Sequence, residues 1–293
     1  MFWIPITVGA AAFQVARNAL QRSLLGDAGP WGATLVRFLF GLPFSAALWA
    51  LAALLTPGAH PKFGAEFWWA AGTGALSQVL AAAALLVAMR RAGFAVGTAL
   101  QQSSLPLSAV MGLVVFHDRL GLAAWLGVGM TTAALAVLTW PKGAAGPQPV
   151  SGAAFGLISG LCFGFSLNAF RHAELALDPD HRFFSAIACV TIAQAAQSAF
   201  LTGFLAWRSP GALAAVAASW RQSLGAGLCG AFASAGWFTA LAFSPAGPVR
   251  AVGMVEMPIA AVAGRRIFAE RLNLWQWAAG VLASIGVVLA ALG

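Results

Sequence analysis

Residues 104–125, "SLPLSAVMGLVVFHDRLGLAAW", are repeated in altered form at residues 256–277, "EMPIAAVAGRRIFAERLNLWQW". The two segments align without a gap, and the matching positions are Pro106 with Pro258, Phe116 with Phe268, Asp118 with Glu270, Arg119 with Arg271, and Trp125 with Trp277. Earlier in each half, "FQVARNAL" resembles "FGFSLNAF", which aligns Asn18 with Asn168. Self-similarity at a fixed spacing indicates that one structural unit occurs twice in the chain.

The composition identifies the environment of these two units. The chain of 293 residues is 60% hydrophobic and 8% charged, whereas soluble domains carry about 25% charged residues. It is therefore predicted to be an integral membrane protein. The excess of 16 Lys and Arg over 8 Asp and Glu does not indicate nucleic-acid binding, because the cations are scattered at segment ends without a basic stripe.

Proline, glycine and charge clusters divide the chain into apolar runs of about the 20 residues that a membrane helix needs. The runs lack the period-2 alternation of strands, so we predict α-helices. The ten predicted spans are 2–22, 31–56, 65–89, 93–116, 120–140, 150–175, 182–206, 219–243, 246–268 and 272–292.

The stretch "PKGAAGPQPVSG" at 141–152 resembles a linker. We therefore predict a first five-helix repeat at 1–140, a linker at 141–149 and a second five-helix repeat at 150–293. An odd number of spans per repeat places the two repeats in opposite orientations. The predicted fold is thus an all-α membrane protein with two inverted repeats around a central cavity, the arrangement that secondary transporters use.

The repeated segments resemble the drug/metabolite transporter superfamily, specifically its ten-helix EamA-like members. Both contain the family's order of proline, acidic-Arg-Leu turn and glycine-rich closing helix, and "ATLVRFLF" around Arg37 is similar to its second-helix pattern. Asp118 stands where the family usually has glutamate. The resemblance implies that helices 1–4 and 6–9 enclose the cavity, that helices 5 and 10 pack peripherally, and that both termini are cytoplasmic in a bacterial inner membrane.

Glu256 is the one acidic residue that falls in the middle of a predicted span. It lies about 18 Å from one end of that helix, at 1.5 Å per residue, and so near the membrane midplane. A charge at that depth costs roughly 2.5–3.5 kcal/mol, so Glu256 is expected to face the interior of the bundle. Its alternative role is a structural ion pair with Arg17 or Arg37.

Other polar or large residues fall at similar depth. The predicted substrate or coupling cavity consists of Glu256, Arg17, Gln14, Asn18, Arg37, Gln78, Gln101, Asn168, Gln194, Trp237 and Met254. Each glutamine or asparagine has the alternative role of joining helices by hydrogen bonds, Arg37 that of anchoring structure, and Trp237 that of filling the core. Pro106 and Pro258 are predicted to bend their helices and free backbone carbonyls.

These features predict a secondary transporter of a small organic solute, such as an amino acid or an aromatic metabolite or drug, that works by alternating access. Whether Glu256 couples transport to protons stays open, as do a lipid-type flippase and an uncoupled facilitator or exchanger. We expect no enzyme, because no HExxH motif or second mid-span carboxylate occurs. We expect no metal and no cofactor; the absence of GxxxxGK[ST] argues against ATP as the driving force.

The expected partners are a small-molecule substrate, membrane lipid and, if transport is proton-coupled, protons. We expect no nucleic acid, and the oligomeric state is a monomer or a homodimer. Loop charges disagree with the orientation that the family resemblance implies. The predicted spans place nine basic residues opposite the termini and five, Arg250 among them, on the same side as the termini. By the positive-inside rule this bias favours termini outside.

Overall fold

The computed structural model describes residues 2–116, 120–139 and 147–268, and beyond them only 278, 281–282, 285–286 and 288–289. Within the described residues every regular element is an α-helix. The helices are α1 (Trp3–Ser23), α2 (Leu25–Leu39), α3 (Leu42–Leu55), α4 (Ala65–Ala92), α5 (Phe94–Gln101), α6 (Ser104–Phe116), α7 (Leu122–Thr139), α8 (Pro147–Leu177), α9 (Arg182–Arg208), α10 (Pro210–Ala218), α11 (Trp220–Phe243), α12 (Ala246–Gly253) and α13 (Glu256–Phe268).

Several of these helices are suited to a lipid bilayer. Five described segments are long and apolar enough to cross a membrane, namely Ala28–Leu55, Ala65–Ala92, Val150–Leu177, Arg182–Arg208 and Trp220–Phe243. They range from 24 to 28 residues, more than the roughly 20 that a hydrocarbon core requires. The chain is therefore an all-helical, membrane-embedded protein.

Some sequence predictions fall outside the described residues. They are the tenth span at 272–292 except for isolated positions, most of the linker at 141–149, and the aligned residues Asp118, Arg119, Glu270, Arg271 and Trp277.

The helix α2 bends at Gly29, whose φ of 64° and ψ of 178° are accessible to glycine alone. Pro30 then starts the part of the helix that carries Arg37.

The predicted span at 31–56 is divided between α2 and α3, and two further predicted spans are each divided into a pair of short helices. The span at 93–116 divides between α5 and α6, and the span at 246–268 divides between α12 and α13. The helices of the second pair begin at a constant offset from those of the first. Residues 94 and 104 begin α5 and α6, and residues 246 and 256 begin α12 and α13, each 152 positions later. The repeat in the sequence thus extends to where the helices break.

The prolines explain the position of both breaks. A proline cannot donate to the carbonyl four residues before it, and its ring crowds that carbonyl. For Pro106 that residue is Gln102, and for Pro258 it is Met254. Each carbonyl instead accepts a hydrogen bond of 2.9 Å from the residue before the proline, Leu105 N–H or Met257 N–H. The tighter turn ends the first helix, and the proline then lies in the first turn of the next.

The long helices pack across the two halves of the chain. α4 runs along α8, and α1 runs along α11, so the first helix of each half lies against the third predicted span of the other. Glycines on α8 permit a close approach by the broken pair, because added Cβ atoms at Gly156 and Gly160 would meet Leu100 and Ser103. Small residues play this part in membrane helix contacts generally.

Asp178 holds two loops together at one end of the bundle. Its carboxylate accepts hydrogen bonds from the backbone N–H of His60 (2.9 Å) and of Asp180 and His181 (3.1 Å each), and its Oδ2 is 3.1 Å from Nδ1 of His181. Burial alone would raise the pKa of Asp178, but these hydrogen bonds outweigh it and lower the pKa below its usual value. The carboxylate therefore joins the α3–α4 loop to the α8–α9 loop.

Candidate functional site

Glu256 is the first residue of α13 and is fully buried. Its Oε1 accepts a hydrogen bond of 2.6 Å from Nε2 of Gln14 on α1, and its Oε2 accepts one of 2.9 Å from Nε2 of Gln102 in the break between α5 and α6. Nη1 of Arg250 on α12 lies 3.4 Å from Oε1. Both oxygens only accept hydrogen bonds, which is the capacity of an ionised carboxylate.

Arg250 and Gln102 complete a closed network with Glu256. Nη2 of Arg250 donates to Oε1 of Gln102, the amide whose Nε2 donates to Glu256. The guanidinium also lies over the indole of Trp237 on α11, with Cζ 4.8 Å from the ring centroid, a distance at which cation–π attraction acts. We call Gln14, Gln102, Arg250 and Glu256 the glutamate network. It connects α1, both broken helix pairs and, through Trp237, α11.

The ion-pair partner of Glu256 differs from the one that the sequence suggested. The structure places Arg250, rather than Arg17 or Arg37, on the carboxylate. The sequence predicts Arg250 near the membrane surface, because it lies four residues into the predicted span at 246–268. The structure shows all eight residues of α12 buried, and Arg250 is 3% exposed. The break lets this short helix lie inside the protein, so Arg250 must be removed from the loop-charge count.

Arg17 and Arg37 lie near the network without an ion pair of their own. Arg17 is 1% exposed and donates through Nε (3.2 Å) and Nη2 (2.9 Å) to the neutral Oδ1 of Asn18. It interacts electrostatically with Glu256 and with Arg37. Arg37 is 3% exposed, and its Cζ lies 4.7 Å from the ring centroid of Phe38. Neither arginine pairs with a carboxylate among the described side chains.

A small cavity lies beside these groups. It is lined by Gln14, Arg17, Arg37, Gln78, Gln101, Phe163, Leu167, Ser234, Trp237, Phe238 and Arg250. Its volume of about 20 Å³ holds a water molecule, whereas small-molecule pockets usually measure roughly 300–1,000 Å³. The cavity is thus polar on one side, aromatic on the other, and nearly closed in this conformation.

Of the eleven residues predicted for the cavity, six line it: Gln14, Arg17, Arg37, Gln78, Gln101 and Trp237. Glu256 lies directly behind Gln14 and Arg250. The remaining four predicted residues do not line the cavity; they are Asn18, Asn168, Gln194 and Met254. Asn168 donates to the carbonyls of Ser108 (3.2 Å) and Gly164 (2.9 Å), which is the helix-joining role considered for it. Met254 lies in an apolar cluster with Leu105 and Ala109.

Several buried polar atoms around the site have no hydrogen-bond partner within the described part of the chain. They are Asn18 Nδ2, Gln101 Oε1, Trp237 Nε1 and Arg250 Nε. Buried polar groups are satisfied in the great majority of cases, and the exceptions often mark functional positions. Gln78 is different, since its Oε1 accepts from Nε2 of Gln197 at 2.9 Å and so joins α4 to α9.

Sequence reasoning missed Arg250, Gln102, Ser234 and the rings of Phe163 and Phe238. The signal for Gln102 was present in the repeat, because Gln102 aligns with Met254 and therefore lies at the break opposite Glu256. The signal for Arg250 would have been the proline at 258, which divides the span and leaves α12 too short to reach both surfaces.

Comparison with known proteins supports the fold only. No family model matches the chain, and no curated protein matches it. Among solved structures 27 chains match. One is a crystal structure described simply as that of a protein; it is similar over 98% of each chain, with a TM-score of 0.64 and 19% sequence identity. At that identity the likeness shows a shared overall fold.

Proposed function

We propose that this protein is a secondary transporter that moves a small organic solute across the membrane by alternating access. We assign it to the drug/metabolite transporter superfamily as a ten-helix member built from two inverted repeats. The support is the repeated segment with its proline, the matching helix breaks, and the packing of α1 on α11 and of α4 on α8. Transporters of this type bind solute where broken helices meet near the midplane.

The observation that carries the proposal is the position of the glutamate network. Gln14, Gln102, Arg250 and Glu256 hold α1 and both broken helix pairs around a cavity that is closed to anything larger than water. A solute can enter only if helices around the cavity move apart. Since the network contacts both repeats, its opening on one side is the change that alternating access requires.

Proton coupling through Glu256 has a specific physical basis here. In the closed network the carboxylate accepts from three donors, and a protonated carboxyl would lose part of that capacity and its attraction to Arg250. Protonation therefore favours an opened network. One charge that crosses 100 mV supplies about 2.3 kcal/mol, a roughly 50-fold gradient, so a single carboxyl is sufficient for useful coupling.

The test is solute exchange in proteoliposomes. Solutes are first selected by thermal shift of the purified protein against amino acids, nucleobases, vitamins and drugs, since binding to the folded state raises its stability. Uptake of each stabilising solute is then measured with and without a pH gradient, for the natural protein and for Glu256→Gln. We expect faster uptake than in protein-free liposomes and its loss in Glu256→Gln.

Glu66→Gln is the matched control, because Glu66 is an exposed carboxylate that pairs with His172 at 2.8 Å on the protein surface. It should transport like the natural protein. If no stabilising solute enters proteoliposomes faster than protein-free liposomes, the proposed function is wrong. Uptake that requires Glu256 but ignores the pH gradient would identify an uncoupled facilitator or exchanger.

We also propose that the protein lies in the bacterial inner membrane with both termini on the cytoplasmic side. The removal of Arg250 from the loop count leaves the positive-inside rule against this orientation, so it rests on the family resemblance. The orientation is tested with the variants Lys62→Cys and Arg208→Cys, since Lys62 is predicted on the side of the termini and Arg208 on the opposite side. The family orientation requires Lys62→Cys to be labelled from the cytoplasmic side.

A further inference from the structure

The described side chains around the cavity carry more positive than negative charge. Arg17, Arg37 and Arg250 line it, and within the described ranges Glu256 is the one carboxylate near them. Arginine stays protonated in proteins. Since Arg250 is already paired with Glu256 at 3.4 Å, neither Arg17 nor Arg37 has an ion-pair partner of its own among the described carboxylates.

An unbalanced pair of buried cations is costly, because a charge removed from water is stable only when it is paired or well hydrogen-bonded. Among the described residues, Arg17 donates only to the neutral amide oxygen of Asn18. Arg37 makes no hydrogen bond to any side chain or carbonyl within the described residues and rests against the ring of Phe38. Each arginine therefore retains unused donors, and Nδ2 of Asn18 beside them is a further free donor.

We infer that the solute of the proposed transporter is an organic anion, whose carboxylate or phosphate binds between Arg17 and Arg37 and whose apolar part lies against Phe163 and Phe238. Guanidinium groups match the planar geometry of such oxyanions. The two aromatic rings line the same cavity as both arginines. An organic cation has no place here, since Glu256, the one carboxylate near the cavity in the described part of the chain, is taken by Arg250.

This inference rests on the proposed transport function, but its binding step can be tested separately. The probes are phenylacetate, the neutral phenylacetamide and the cationic phenethylamine, which share one ring and differ in charge. Thermal stability of the purified protein is measured with each. We expect phenylacetate to raise the midpoint temperature and to bind at least tenfold more tightly than the amide, with no effect from the amine.

The variants Arg17→Gln and Arg37→Gln should lose at least tenfold in phenylacetate affinity. Arg208→Gln, which removes an exposed arginine at the end of α9, is the control and should bind like the natural protein. The empty Arg17→Gln protein should be as stable as the natural protein or more so, because it no longer buries an unpaired charge. A purely structural Arg17 would give the opposite result, a less stable empty protein.

Equal or stronger stabilisation by the amide or the amine would overturn the inference, as would phenylacetate affinity unchanged in both arginine variants. Failure of the transport function has a different signature. In that case phenylacetate binds through the two arginines, yet proteoliposomes do not take it up or exchange it.

Discussion

Glu256 and Arg250 face each other across the break between α12 and α13, with Oε1 of the glutamate 3.4 Å from Nη1 of the arginine, although they are six positions apart in the chain. Both side chains are buried. In a continuous helix, residues six positions apart would lie on different faces. The break at Met254 and Val255 is therefore what brings the two charges together.

Loss of either charge should destabilise the protein strongly. Removal of one partner from a buried pair leaves the other uncompensated, at a cost of about 3–5 kcal/mol. We expect this order of loss for Arg250→Gln, and a smaller loss for the double variant Arg250→Gln, Glu256→Gln than the sum of the two single variants. The free energy of unfolding of the natural protein, the two single variants and the double variant is measured by SDS or heat denaturation in detergent. Strictly additive losses would mean that the pair is not coupled.

Replacement of Pro258 should convert α12 and α13 into one helix. In Pro258→Ala the new N–H at 258 can bond to the carbonyl of Met254, at a gain of about 1 kcal/mol, and the turn that presents Glu256 straightens. Straightening also moves Glu256 away from Arg250, so we expect lower thermal stability together with at least tenfold slower solute exchange. Pro106→Ala should behave similarly at the related break.

The control for both prolines is Pro210→Ala, since Pro210 begins the surface helix α10 and is exposed. It should exchange solute at the natural rate. Normal exchange by both Pro106→Ala and Pro258→Ala would show that the breaks serve no part in transport.

Gly253 provides the space for Trp237. A Cβ at this position would overlap the six-membered ring of the indole, so Gly253→Ala must displace the ring that lies under Arg250. Overpacking of this kind costs about 1–3 kcal/mol. Gly203→Ala is the control, because no atom of the described residues lies within 4 Å of the added Cβ. We expect lower stability and altered tryptophan fluorescence in the first variant and neither change in the second.

Asp178 should make the stability of the protein sensitive to acid. Its pKa in the folded state is lower than in the unfolded chain, so its contribution is complete above the unfolded value of about 3.9 and is lost as the pH falls through the folded pKa. At pH 7, Asp178→Asn should be less stable by about 1–2 kcal/mol. Between pH 5 and pH 3 the natural protein should lose more stability than the variant. Parallel pH profiles would contradict the assigned role.

The long apolar runs made much of the fold predictable. The predicted spans 2–22, 65–89, 150–175 and 182–206 agree with α1, α4, α8 and α9 to within three residues at each end, because proline, glycine and charge end these runs clearly. The buried position of Glu256 was also predictable, since a carboxylate in the middle of an apolar span is expected to have partners inside the protein.

Depth along a straight helix could not reveal Arg250 or Gln102. The rise of 1.5 Å per residue in a continuous α-helix predicts that Arg250 lies near a membrane surface, whereas the break between α12 and α13 keeps it buried beside Glu256. Gln102 lies 154 positions from Glu256 in the chain, so only the folded arrangement of the two repeats brings them into contact. Side-chain partners across a helix break depend on tertiary structure that hydropathy does not encode.

Alternating access is tested most directly at Ser234, a small cavity-lining residue of α11. Ser234→Cys is placed in a protein whose Cys162, Cys189 and Cys229 are replaced by alanine, and a membrane-impermeant maleimide is applied to one side of proteoliposomes at a time. We predict that the cysteine reacts from each side, and that a transported solute slows both reactions. Reaction from one side only, with and without solute, would contradict alternating access.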